Sequence, residues 1–282
     1  MDHHAPASGS DRTLSESTTS VRTRLGRLHV RLVGDGPTTV LWSSMFVDSH
    51  TWDPVLPLLP GHRRYALVDP PGLGLSEPLG EASDIAGAAD SATDLLAGLG
   101  VDGPVDWVGN AFGGHVGFKL AARPGVLRSL VAVSSPAQPV APPLRRQISL
   151  LLPFLRTAGP VGPVRSAILT AMLTDASRAR DELRVVVEES LARPTRRSMT
   201  LAVRSFILNR VDVSAELAHL TVPSLFVASD DRGDWSPQDA AQAASLAPEA
   251  TAVTVAQART LVPLEQPEAL ASHLRLFWDQ LA

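Results

Sequence analysis

The sequence predicts an α/β fold: a mainly parallel twisted sheet flanked by helices, with a four-helix cap inserted into it. Three observations carry that prediction. Short apolar runs alternate with helical periodicity as far as Val133 and resume at Ser224. Between Ser134 and Thr221 there are four helical patterns and no strand. Finally, Gly109-Asn110-Ala111-Phe112-Gly113-Gly114 closes one apolar run and opens a helical one, which reads as a strand, a sharp turn and a helix.

Residues 1–20 are polar and small and predict a disordered tail without the apolar stretch of a signal peptide. Val21–Leu25 and Leu28–Val33 alternate apolar and polar side chains around Gly26, the pattern of a hairpin. Gly34-Asp35-Gly36-Pro37 is a turn, and Thr39–Trp42 is a short buried strand leading into Ser43-Ser44-Met45-Phe46. Trp52–Leu59 carries apolar residues at helical spacing and stops at Pro60-Gly61. Arg64–Val68 is the next strand, followed by the turn-rich loop from Asp69 to Pro78. Asp84 caps a helix that runs to Gly98. Val105–Val108 leads to the sharp turn, whose helix runs to about Arg123, and Leu130–Val133 is another strand. The cap patterns are Pro143–Ala158, Pro160–Leu173, Ser177–Ala192 and Thr195–Asn209. Ser224–Ala228, a helix at Pro237–Leu246, Thr251–Val255 and a helix from Pro267 to Leu281 complete the chain. Short strands alternating with helices require crossovers, hence parallel pairing. The expected division is a core of residues 21–136 and 213–282 with a cap of residues 137–212.

Charge is unevenly spread. The chain has a formal net charge of −4, yet residues 137–212 hold 12 Arg against 6 Asp and Glu. The spacing of Arg193, Arg196, Arg197 and Arg204 puts several on one stripe, expected to face outward as a solvated surface. A basic lid that attracts anionic ligands is the alternative. Nothing interleaves aromatic and basic residues, which speaks against nucleic acid. Without cysteine there is no disulfide or thiolate nucleophile. No histidine–carboxylate grouping has metal-ligand spacing, and no cofactor is expected. No segment is long and apolar enough to span a membrane. A soluble cytoplasmic protein is the expectation, and a homodimer is one assembly the sequence allows.

A strand, a glycine-flanked turn and a helix is the layout of a nucleophile elbow, where the central residue is strained and presented to a pocket. Here that residue is Ala111, whose methyl can neither attack a carbonyl nor give up a proton. Among eight histidines, His50 lies nearest the segment after the third strand and is the better candidate for a substitute base. His115, one turn past Ala111, reads as packing against a neighbouring strand. His3, His4, His62, His219 and His273 fall in the tail, in turns or on outer helices.

The order of elements, Gly109–Gly114, the Asp69–Ser76 loop, the Asp231 loop and Leu264-Glu265-Gln266-Pro267 together resemble the α/β-hydrolase superfamily over about residues 21–282. The resemblance is to its small-molecule branch with a helical cap, which includes enol-lactonases, esterases, haloperoxidase-like and epoxide-hydrolase-like members. It implies an α/β-hydrolase fold and a triad with its nucleophile at Ala111, its acid at Asp231 and its histidine at Thr260. Two of those three positions therefore lack the required side chain, the general base included. It also implies an oxyanion hole from the Met45 and Phe112 N–H groups, with Ser43 and Ser44 replacing the histidine–glycine pair common there. Such donors contribute about 3 kcal/mol each. Ser43, Ser44, His50, Asn110 and Arg259 are the pocket candidates. Arg232 and Arg259 are offered as partners for Asp231, either in a bridge between two loops or beside a carboxylate poised as a base in a dry pocket.

The function expected from the resemblance is a non-hydrolytic enzyme that isomerises, cyclises or eliminates a carbonyl compound by oxyanion stabilisation. A catalytically inert binder of a small ligand or protein partner is the alternative. A hydrolase whose nucleophile was replaced by design is a third, which accounts for Ala111 but not for Thr260. The expected ligand is a small apolar or carbonyl-containing compound, with an anionic group as one option.

Overall fold

A computed structural model describes residues 15–231 and 233–281. Eight strands form one sheet: β1 (Glu16–Thr23), β2 (Gly26–Val33), β3 (Thr38–Trp42), β4 (Arg64–Val68), β5 (Val105–Asn110), β6 (Leu127–Val133), β7 (Ser224–Ser229) and β8 (Ala250–Val255). Their spatial order is β1-β2-β4-β3-β5-β6-β7-β8. β1 with β2 and β2 with β4 are antiparallel, and every other pair is parallel. β5 and β7 are buried along their whole length, as expected of central strands covered on both faces.

β1 begins at Glu16, inside the stretch expected to be a disordered tail, and pairs with β2 from Glu16↔Val33 to Thr23↔Gly26. Its polar Ser and Thr side chains suit the exposed edge of a sheet, which is why composition alone misread residues 16–20. The remainder of that expectation, residues 1–14, lies outside the described residues. Trp52–Leu59 is not one helix but two 3-10 turns, Ser49–Trp52 and Leu56–Leu58. Pro54 and Pro57 remove donors that a continuous helix would need.

The crossover helices are α1 (Ile85–Gly98), capped by Asp84 accepting from the Gly87 N–H, and α2 (Phe112–Ala121). The cap segment has α3 (Pro142–Ala158), α4 (Pro163–Met172), α5 (Asp175–Arg178), α6 (Asp181–Ala192) and α7 (Arg196–Ala202), with α7 continuing into a π-helical turn at Val203–Leu208. The expected Ser177–Ala192 helix is thus broken at Ala179 and Arg180, and α8 (Ser214–Leu217) follows. α9 (Pro237–Leu246), α10 (Val262–Glu265) and α11 (Pro267–Asp279) close the chain. No described helix is long and apolar enough to cross a membrane.

Candidate functional site

The site is built by glycines. A Cβ on Gly109 would lie 2.1 Å from the Gly113 backbone, and one on Gly113 would lie 2.4 Å from the Trp42 carbonyl. Only glycine lets β5 turn straight into α2 while α2 presses on β3. Ala111, at the apex, has φ 46° and ψ −102°, a conformation strained for any residue with a side chain. Phe112 is the first residue of α2, so its N–H has no partner within the helix.

The segment after β3 is fixed by the Asp69 loop. Buried Asp69 accepts from the Ser49 and Leu75 N–H groups, both at 2.8 Å, and the Ser76 hydroxyl closes the loop on the Asp69 carbonyl. Beyond the elbow, Phe206 of the π-helical turn stacks on Phe112 with ring centroids 4.6 Å apart. The Ser198 hydroxyl accepts from the Leu79 N–H and donates to the Gly72 carbonyl, tying α7 to the same loop.

Between cap and sheet lies a cavity of about 1250 Å³, lined largely by apolar side chains of α3, α4 and the π-helical turn. Met45, Ala111, Phe112, Ser44, Arg259 and Thr260 all line it. Three other candidates do not. Ser43 is fully buried, and its hydroxyl accepts from Trp52 Nε1 at 3.2 Å. Asn110 turns its amide to the Thr260 and Val133 carbonyls, joining β5 to the Thr260 loop. His50 is corrected as a substitute base: it stands outside the cavity with its Nδ1 2.8 Å from Asp48 Oδ1. That hydrogen bond, against the cost of burial, raises its pKa. Asp48 in turn binds Arg193 of the cap.

Asp231 is not a carboxylate poised in a dry pocket. Its side chain is 27 % exposed, and its Oδ2 accepts from Arg259 Nη2 at 2.9 Å. Arg232 lies outside the described residues. The Arg259 side chain, 4 % exposed, also donates to the Asp231 and Thr170 carbonyls and reaches Asp175. The Thr260 hydroxyl points to the cap, donating to the Ala171 carbonyl at 2.9 Å, while the Thr260 and Leu261 N–H groups share the Met172 carbonyl. Buried Glu265 accepts from the Thr174 and Arg259 N–H groups, both at 2.8 Å. The end of α4 is therefore stitched to residues 259–265.

Among the lining residues that sequence reasoning missed are Ser134, Arg146, Arg210 and Asp234. Ser134 follows β6 with φ 50°, and its hydroxyl donates to the Arg259 carbonyl. Its place at the carboxyl end of a central strand was the available signal. Arg210, Arg146 and Asp234 gave none. Of the arginine stripe, none of Arg193, Arg196, Arg197 and Arg204 lines the cavity.

The sequence model described as the alpha/beta hydrolase family matches residues 34–273. A Stutzerimonas stutzeri protein provisionally named carbamate hydrolase RutD is 32% identical over 210 residues, 72% of this chain and 77% of that protein. A pimeloyl-[acyl-carrier protein] methyl ester esterase of Shewanella woodyi is 27% identical over 211 residues, covering 71% and 77%. Among solved structures, the enol-lactonase of Burkholderia xenovorans superposes with a TM-score of 0.84 at 19% identity, covering 93% of this chain and 100% of that one. An esterase of Thermogutta terrifontis gives 0.83 at 20% identity, covering 94% and 98%. The sheet order, the glycine-built elbow and these matches agree: the chain belongs to the alpha/beta hydrolase family.

Proposed function

We propose that this protein binds a small, largely apolar carbonyl compound beneath its cap, with the carbonyl oxygen on the Met45 and Phe112 amides, and carries out no acyl transfer. The single observation that carries the reading is the chemistry at the apex. Ala111 keeps the strained elbow backbone, yet its methyl can neither attack a carbonyl nor give up a proton. Thr260 is engaged with Ala171, Asp231 with Arg259, and His50 with Asp48 outside the cavity. A carbonyl can still be polarised by amides aimed at its oxygen without being attacked. The apolar lining supplies most of the binding free energy through surface removed from water. Both curated relatives are named for acyl compounds, a carbamate and a methyl ester, which supports a carbonyl ligand.

A second reading, isomerisation, cyclisation or elimination of a bound carbonyl compound, is favoured by the strain itself. A φ of 46° at an alanine persists only where surrounding structure holds it, and such strain clusters at working sites.

The test is titration with 1,1,1-trifluorododecan-2-one followed by 19F NMR. The expected result is reversible binding with no hemiketal resonance, weakened by filling the cavity through Ala167→Trp. A hemiketal on a serine would overturn the claim of no acyl transfer, and an absence of binding would overturn the ligand class.

A further inference from the structure

We propose that His115 and Arg210 form a second polar anchor in the cavity wall, matched to a hydroxyl group, so that the ligand is a hydroxylated carbonyl compound. The carbonyl half of that statement rests on the function proposed above; the anchor rests on its own geometry.

His115 lies four residues beyond Ala111, so one helical turn, about 6 Å, separates the anchor from the elbow. Its side chain is buried, and Nε2 stands 2.9 Å from the Pro136 carbonyl. A carbonyl can only accept, so Nε2 carries the proton and Nδ1 keeps a lone pair. That Nδ1 is buried with no partner among the described residues. Burial and then the neighbouring Arg210 charge push the His115 pKa down to about 3, so the ring is neutral near pH 7.

Arg210 approaches from the cap side with 8 % of its side chain exposed. One terminal nitrogen donates to Asp234 Oδ2 at 2.7 Å, which balances its charge. Its Nε–H is buried and also lacks a partner among the described residues. Both residues line the cavity that contains Ala111 and Phe112.

Buried nitrogens left unpaired are costly and uncommon. Here one is an acceptor and its neighbour a donor. A hydroxyl seated between them would satisfy both, donating to His115 Nδ1 and accepting from Arg210 Nε–H. A carboxylate offers no proton to Nδ1, and the Arg210 charge is already balanced by Asp234. An ether can accept but not donate. A water molecule seated there would make the same two bonds, and a ligand hydroxyl would replace it with like geometry.

The experiment follows the histidine ring 15N resonances of the intact protein during titration with phenol, acetophenone, 4-hydroxyacetophenone and 4-methoxyacetophenone. The His115 Nδ1 resonance is expected to move with phenol and 4-hydroxyacetophenone and to stay in place with acetophenone. The hydroxy ketone should bind about tenfold more tightly than the methoxy ketone, this ratio should fall to about one in His115→Phe, and Arg210→Met should weaken both ketones alike. Equal affinities for those two ketones, or an unmoved Nδ1 with bound 4-hydroxyacetophenone, would overturn the anchor while leaving the carbonyl site standing. A response to phenol without binding of any ketone would support the anchor and overturn the carbonyl site. No binding of any probe would overturn both.

Discussion

Two clusters of aspartate and arginine sit at opposite ends of the sheet, and they are wired in opposite ways. At the amino end of β5 the hub is an acid. Asp106, 1 % exposed, binds Arg63, Arg128 and the Ser129 hydroxyl. Its partners belong to the sheet and its flank, and Arg63 also lies over the Trp278 ring. Beyond the carboxyl ends of β7 and β8 the hub is an arginine. Arg259 gathers Asp231, the Thr170 carbonyl and Asp175, joining the sheet to the cap. The first cluster locks one layer internally, while the second joins two layers across the cavity. The difference teaches that Asp231 serves here as part of a joint between core and cap.

The largest effect is expected at the acid hub. Asp106→Asn should cost about 3–5 kcal/mol in chemical denaturation, because it leaves two guanidinium groups without their shared charge. Burial alone would raise the Asp106 pKa, but hydrogen bonds from Arg128, Ser129 and Arg63 leave it below the ordinary value. Its contribution is therefore complete above about pH 4 and disappears as pH falls through the lowered folded value. The variant should show a flatter acid-stability profile than the parent; an identical profile would remove Asp106 from this role.

A smaller global effect is expected at the arginine hub, with a more local signature. Arg259→Met should cost about 2 kcal/mol, since Asp231 is partly solvated and water can take over its hydrogen bond. Amide exchange should quicken at residues 171–174 and 259–265 and stay unchanged along β5. Uniform acceleration over both regions would mean that Arg259 supports the whole fold, and the contrast between the clusters would be lost.

The smallest change is Thr260→Ala, which removes the single hydroxyl contact to Ala171 and should cost about 1 kcal/mol. Because Arg259 holds Asp231, the pair Ala111→Ser with Thr260→His should gain little esterase activity. Efficient turnover by that pair would show that Asp231 can leave Arg259 to orient an imidazole.

The parts of this arrangement written in local sequence were legible. Asp84 and the Ser236–Asp239 capping box start α1 and α9 where their side chains say they should. The glycines of the elbow specify its turn because close backbone approach excludes every other residue. The stitching of α4 to the Thr260 loop was not legible, because Met172 and Leu261 meet only through the fold. Arg259 looked like one side of a salt bridge; its cap contacts depend on where α4 ends. His115 was read as packing, and the burial that supports that reading also leaves its Nδ1 unpaired beside Arg210. His50 looked close to the pocket in sequence, but the 3-10 turn at Ser49–Trp52 carries it to Asp48 outside the cavity.

The most direct test of the central claim is stoichiometric mixing with p-nitrophenyl butyrate, reading p-nitrophenolate release and the mass of the intact protein together. The account predicts no burst above the buffer rate and no added acyl group, since Ala111 cannot attack and Thr260, Asp231 and His50 are engaged elsewhere. A burst matching the protein concentration, with a butyryl group on Ser44 or Ser134, would contradict it.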